Sequence, residues 1–165
     1  MPDKVTLRRA RQDKREGKAA STQAGEFVRE EMEHIREGKH GARSTEQAIA
    51  IGLSKARRSG VKLPAPEKGT APASVRQRAK RDLNSSHRRR KPSTRRSRAV
   101  IGALKREGHS AASKPALARH ARTAARKRSA ASRSASARKA VRTKGPRVRS
   151  AAAQKAARTR ARRAG

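Results

Sequence analysis

The stretch STEQAIAIGL, Ser44 to Leu53, carries one charged residue in a chain of 165 residues that is 36% charged and has a formal net charge of +35. A neutral decapeptide in such a chain needs an apolar partner, and the partner decides the fold. Ser44 followed by Gln47 fits a capping box. At about 100° per residue, Ile49, Gly52, Leu53 and Ala56 share one face. Gly60 stands where this helix would stop. Just upstream lies STQAGEFVREEMEHIREG, Ser21 to Gly38, a second amphipathic helix. Ala24, Phe27, Val28, Met32 and Ile35 fall on one side of it, and Glu26, Glu30, Glu33 and Glu37 line the other. Ser21 or Thr22 caps its start and Gly38 ends it. The two apolar faces pair as a hairpin across the loop GKHGAR, with Gly52 and the alanines permitting close approach. Ile51 projects elsewhere, near Gln47 and Arg58, and either meets the preceding helix or marks a self-association surface. That preceding helix, DKVTLRRARQDKREGK, is short and basic and ends near Gly17.

Composition limits how much of the chain resembles this hairpin. Hydrophobic residues make up 32%, but many are alanine, and the aromatics reduce to Phe27. Large apolar side chains contribute roughly 1.5–3 kcal/mol each on burial, against about 1–2 kcal/mol for ordering each residue's backbone. Charge divides the molecule in the same place. Residues 1–63 hold 15 Lys/Arg and 9 Asp/Glu, whereas residues 64–165 hold 32 and 3. The boundary falls at LPAPEKGTAPAS, with Pro64, Pro66 and Pro72, which reads as a linker. The expected organisation is all-α: a small helical head over 1–63, a Pro/Arg-rich linker over 64–96, and an Ala/Arg/Lys/Ser-rich tail over 97–165.

Within the linker, ASVRQRAKRDL is a weak helix candidate and SSHRRRKPSTRRSR a charge run expected to be extended. SRAVIGALKREGHS follows as a short helix with Ser97 as its cap. From Ser110 onward small residues alternate with basic pairs. Alanine and arginine favour helix, while like charges three and four residues apart oppose it. The tail is therefore expected to be largely disordered alone, with helices near 115–129, 135–143 and 150–163 that firm up on a polyanion.

The block from Ser21 to Pro64 resembles an uncharacterised bacterial domain family of short basic proteins, which share a VREEM helix, a Gly/Lys/His loop and an S-x-x-QAIAI-x-LS-x-A helix. The resemblance implies a bacterial origin, a helical fold and a general association with DNA binding. The tail looks like those of linker histones and histone-like bacterial proteins, but favours arginine over lysine.

Chemistry points to polyanions. Four clusters have spacings that follow a phosphate backbone: Arg88, Arg89, Arg90 and Lys91; Arg95, Arg96 and Arg98; Arg126, Lys127 and Arg128; and Arg158, Arg160, Arg162 and Arg163. Arg138, Lys139, Arg142 and Lys144 add to them. A charge run of this kind also serves solubility alone. Sequence readout is disfavoured, because no zinc-finger or basic-zipper spacing occurs; a small helix-turn-helix with Lys55, Arg57 and Arg58 at the groove is the exception to weigh. The lack of aromatic platforms disfavours single-strand modules.

The five histidines are scattered. His34 and His40 flank one loop with Glu37 nearby, but nothing in the spacing fixes a metal geometry, so surface histidine is the preferred reading and no metal or cofactor is expected. Glu30 with Glu33 or Glu37 offers paired carboxylates on one helical face, better read as a solvated face or a docking strip for the tail. No phosphate loop, no cysteine and no nucleophile beside a base is found, so an enzyme is not expected. Nor is there a run of 18 apolar residues or a signal-peptide core, which favours a cytoplasmic, nucleoid-associated protein without a membrane or small-molecule partner. The function expected is histone-like, sequence-nonspecific binding that neutralises or bridges duplex DNA. RNA or ribosome association is one alternative; a protein-interaction or homo-oligomerising head with a polyanion-localising tail is the other.

Overall fold

The computed structural model describes residues 2–85 and 93–164, and every regular element in them is helical. In chain order they are α1 (Lys4–Arg15), α2 (Ala20–Arg36), α3 (Thr45–Arg58), α4 (Ala73–Ser85), α5 (Thr94–Lys105), a 3-10 turn (Ser110–Ala112), α6 (Lys114–Lys127) and α7 (Ala130–Ala164). The chain forms two compact units, residues 1–120 and 121–165.

The first unit is built on the hairpin that the neutral decapeptide requires. Ser44 caps α3 by accepting a hydrogen bond from the Gln47 amide, while the Gln47 side chain turns back to the Arg43 amide, one residue further out than a strict capping box. Thr45, Ala48, Gly52 and Ala56 form the buried face of α3. At Gly52 the two helices nearly touch, and a Cβ there would stand 2.7 Å from the Val28 Cα. Ile51 is half-buried.

The core lies in two clusters along the hairpin. One joins Ala10 of α1, Ala24 and Phe27 of α2, Ala56 of α3 and Val61, with Leu7, Leu53 and Leu63 packed around them. Phe27 is the largest side chain to be fully buried. The other joins Met32 and Ile35 of α2, Ala42 of the loop and Ala48 of α3 to Ala111 and Ala112 of the 3-10 turn. Val28, Ile49 and Leu117 close over it.

The second cluster extends the compact unit beyond the expected head boundary at residue 63. Main-chain hydrogen bonds hold the added segment: Gly41 N donates to Leu104 O at 2.9 Å and Ala42 N to Gly108 O at 3.0 Å. Arg36 Nε reaches Ala112 O at 2.9 Å, and the Thr45 hydroxyl reaches Ala111 O at 2.7 Å. Apolar periodicity carries no trace of such bonds, because the groups that make them are common to every residue. Two further expectations are corrected here. The charge run is helical from Thr94 onward, and α5 takes its cap from Ser93 instead of Ser97. The helix candidate at 73–83, by contrast, is borne out as α4, which runs on to Ser85 and whose Asp82 accepts a hydrogen bond from Ser54 of α3 at 2.7 Å.

The second unit is helical where a largely disordered tail was expected. Its residues are exposed from 121 to 163 apart from half-buried Gly145, so local propensity forms the helix without burial. Alanine and arginine outweigh repulsion among the cations. Hydroxyls bond back one turn, as in Ser136 to Ser132 O, Thr143 to Lys139 O and Thr159 to Lys155 O, which satisfies them within the helix without adding to its stability. At Gly145, φ 65° and ψ 169° interrupt the helix just before Pro146. Glycine is essentially alone in tolerating that backbone region.

Candidate functional site

A buried polar cluster forms where the N-terminus, α2, the loop after α2 and α3 converge. Glu31 lies four residues after Phe27 and four before Ile35, so the helical repeat carries it onto the core face, where it is 1% exposed. Glu30 beside it is 3% exposed. Lys55 of α3 enters opposite, its Nζ 2.5 Å from Glu31 Oε2 and 3.4 Å from Glu30 Oε1. The other Glu30 oxygen accepts a hydrogen bond from the Asp3 amide at 3.1 Å. One ammonium thus faces two buried carboxylates, which leaves a negative charge that burial makes costly to keep.

Two histidines complete the cluster. His40 Nε2 lies 3.2 Å from Glu31 Oε1, and its Nδ1 lies 3.1 Å from the Gly41 carbonyl oxygen. His34 Nε2 stands 3.3 Å from Asp3 Oδ2. The two imidazoles meet edge to face with centroids 6.1 Å apart. Glu31 Oε2 is thus ion-paired with Lys55, whereas Oε1, beside His40, accepts no hydrogen bond.

This arrangement revises the acidic face read from the sequence. Only part of that face is solvated. Glu30 is buried, Glu26 is paired with Arg29 and lies 4.0 Å from Arg9, and Glu37 is exposed against Lys39 at 2.9 Å. The Lys39 ammonium holds the Glu37 carboxyl below its ordinary value. A docking strip for the tail therefore loses three of its four carboxylates to other roles. The third residue beside His34 and His40 is Glu31, not Glu37. Glu31 and Lys55 were legible in principle: each falls at helical spacing from core positions, Lys55 three residues after Gly52. A charged residue at a core position signals a buried partner.

The helix-turn-helix alternative loses two of its three groove residues as well. Lys55 is engaged with Glu30 and Glu31, and Arg57 is buried, donating to the Leu63 and Pro64 carbonyls at 3.2 Å each. Burial lowers the pKa of Arg57 from its ordinary value. Arg58 stands 4.0 Å from Asp82.

The cations expected to meet nucleic acid lie elsewhere. Arg88, Arg89, Arg90 and Lys91 fall outside the described residues. Arg95, Arg96 and Arg98 are exposed on the first turns of α5. Arg126 and Lys127 end α6, and Arg128 follows, bonded to Ser132 Oγ at 3.1 Å. Arg138, Lys139, Arg142 and Lys144 precede the break at Gly145, whereas Arg158, Arg160, Arg162 and Arg163 follow it. All of these are exposed. Within each arm of α7, counted separately on either side of Gly145 at about 100° per residue, the Lys and Arg residues are spread around the axis instead of gathering on one face.

No helix among the described residues is long and apolar enough to cross a membrane. Residues 11–68 match the model of a family of unknown function, DUF6496. That stretch contains residues 21–64, on which the sequence resemblance rests, and its description carries neither a bacterial origin nor DNA binding. It takes in α2, α3 and the end of α1, and so encloses Glu30, Glu31, His34, His40 and Lys55 while leaving out α5, α6 and α7. No curated protein and no solved structure matches the chain.

Proposed function

We propose that the protein binds nucleic acid without sequence preference, with duplex DNA as its main partner, and neutralises or bridges it. One observation carries the reading: residues 121–165 hold 16 Lys and Arg with no Asp or Glu, on helices exposed from 121 to 163 apart from Gly145. A helix with cations on one side would sit along one groove. Cations on all sides meet phosphates in more than one direction, which supports bridging over groove readout. Affinity then comes mainly from counterion release, with log K falling against log salt by about 0.9 per phosphate neutralised on duplex DNA. Attraction of this kind is indifferent to base sequence.

The test is direct competition of the full-length protein between equal-length duplex DNA and structured RNA across a salt series. Preference for duplex, a steep slope and indifference to base sequence are the expected results. Retention of RNA at high salt would replace this reading with shape-specific RNA contacts.

A further inference from the structure

We propose that Glu31, His34 and His40 bind a divalent transition-metal ion of the zinc class in the first unit. One potential ligand atom from each lies within 4.8 Å of the others. Tetrahedral zinc, with ligands at about 2.0–2.2 Å, places neighbouring donor atoms roughly 3.3–3.5 Å apart. Glu31 Oε1 and His40 Nε2, at 3.2 Å, already stand close to that spacing. Movement of the half-buried His34 ring supplies the remainder.

The hydrogen-bond chemistry of His40 argues for a cation at this point. A carbonyl oxygen only accepts, so the contact with Gly41 O puts the proton on Nδ1. In the neutral ring Nε2 then presents its lone pair to Glu31 Oε1, acceptor against acceptor. A metal ion between them removes that conflict. A histidine that donates Nδ1–H to a backbone carbonyl and offers Nε2 is the arrangement in which metal-bound imidazoles are commonly held. Glu31 supplies the independent sign: it is 1% exposed and faces the histidines, and while its Oε2 is ion-paired with Lys55, its Oε1 beside His40 accepts no hydrogen bond.

The surroundings favour a cation although the chain as a whole repels one. Asp3 and Glu30 stand beside the triad, and together with His34 they form a second, adjoining group with donor atoms within 4.8 Å. Two imidazoles with a carboxylate suit zinc, whereas calcium and magnesium take oxygen ligands. The loop is also fixed in advance, because Gly41 and Ala42, next to His40, are hydrogen-bonded to the carbonyls of Leu104 and Gly108. Lys55 is the competitor: its ammonium neutralises Glu31 when no metal is present and must withdraw when one enters.

The experiment titrates the full-length protein with Co2+ alone, at neutral pH and in the absence of nucleic acid, and follows the visible ligand-field bands. The expected result is one equivalent with tetrahedral-type absorption, abolished by added Zn2+, and a raised unfolding midpoint with Zn2+. His34→Gln and His40→Gln, both at partly exposed positions, should each weaken Co2+ binding at least tenfold. His109→Gln and His120→Gln should leave it unchanged. Lys55→Met should bind Co2+ more tightly than the natural chain; if that variant does not fold without metal, Zn2+ should restore it. Absence of ligand-field bands at millimolar Co2+, or binding that survives loss of both His34 and His40, would overturn the proposal.

Discussion

Gly52 and Gly41 both make room for another segment's backbone, but with different consequences. At position 52 a Cβ would stand 2.7 Å from the Val28 Cα and 3.0 Å from its Cγ2, so Gly52→Ala forces α2 and α3 apart. Alanine gains about 1 kcal/mol in helix propensity over glycine, while overpacking a tight contact costs typically 1–3 kcal/mol. The expected net effect is a loss of up to about 2 kcal/mol, read from the urea midpoint of the whole chain. At position 41 a Cβ would lie 1.9 Å from the Glu107 carbonyl oxygen, an overlap no rotamer relieves. Gly41→Ala should therefore release the segment around Leu104 and Gly108 from the loop. Hydrogen exchange of the Gly108-facing Ala42 amide should accelerate markedly, while the amides of α2 stay protected. Unchanged exchange at Ala42 would refute this account of the docking.

Helices α2 and α3 were legible because their apolar positions repeat at helical spacing, Ser44 caps α3, and Gly38 and Gly60 follow their ends; the caps expected for α2, Ser21 and Thr22, instead lie inside the helix, which begins at Ala20 without a side-chain cap. The docking of α5 and the 3-10 turn was hidden for the opposite reason, since main-chain hydrogen bonds to Gly41 and Ala42 and the small side chains Ala111 and Ala112 leave no pattern in the sequence. The buried pair of Glu30 and Glu31 was half-legible. Reading VREEM as the edge of an acidic face placed Glu30 in solvent, whereas the position of Glu31 between Phe27 and Ile35 marks the turn as buried. At this scale α6 is tied to α3 by His120 Nδ1 and Glu46 Oε1, 2.9 Å apart. The hydrogen bond to His120, followed by contacts near the start of α3, lowers the Glu46 pKa from its ordinary value of 4.5. A carboxyl more acidic in the folded chain than in the unfolded one adds stability above the unfolded value and loses it as the pH falls through the lower folded value. The Glu46 contribution should thus be complete at neutral pH and fade below 4.5. Thermal midpoints of Glu46→Gln and the natural chain should differ at pH 7 and converge toward pH 3; a constant gap would assign the effect to packing.

The whole molecule separates its burial from its charge. Core clusters, ion pairs to buried carboxylates and the family match all lie before residue 121, and the exposed cationic helix lies after it. Removing residues 121–165 takes away 16 cations, and should leave a folded chain of unchanged near-neutral unfolding behaviour. Its log K against log salt on duplex DNA should become shallower by about 0.9 for each phosphate that the shortened chain leaves to its counterions. An unaltered slope would place the DNA-binding surface on the first unit instead. The break at Gly145 adds a further property to this design. On the proposed reading, the non-helical joint between residues 130–144 and 146–164 would make α7 a divalent ligand for DNA: with one arm seated, the other would search at an effective concentration of roughly millimolar order. Under that proposal residence on DNA would exceed what either arm achieves alone, and release of the arms in turn would let the protein pass from one duplex segment to the next without becoming free.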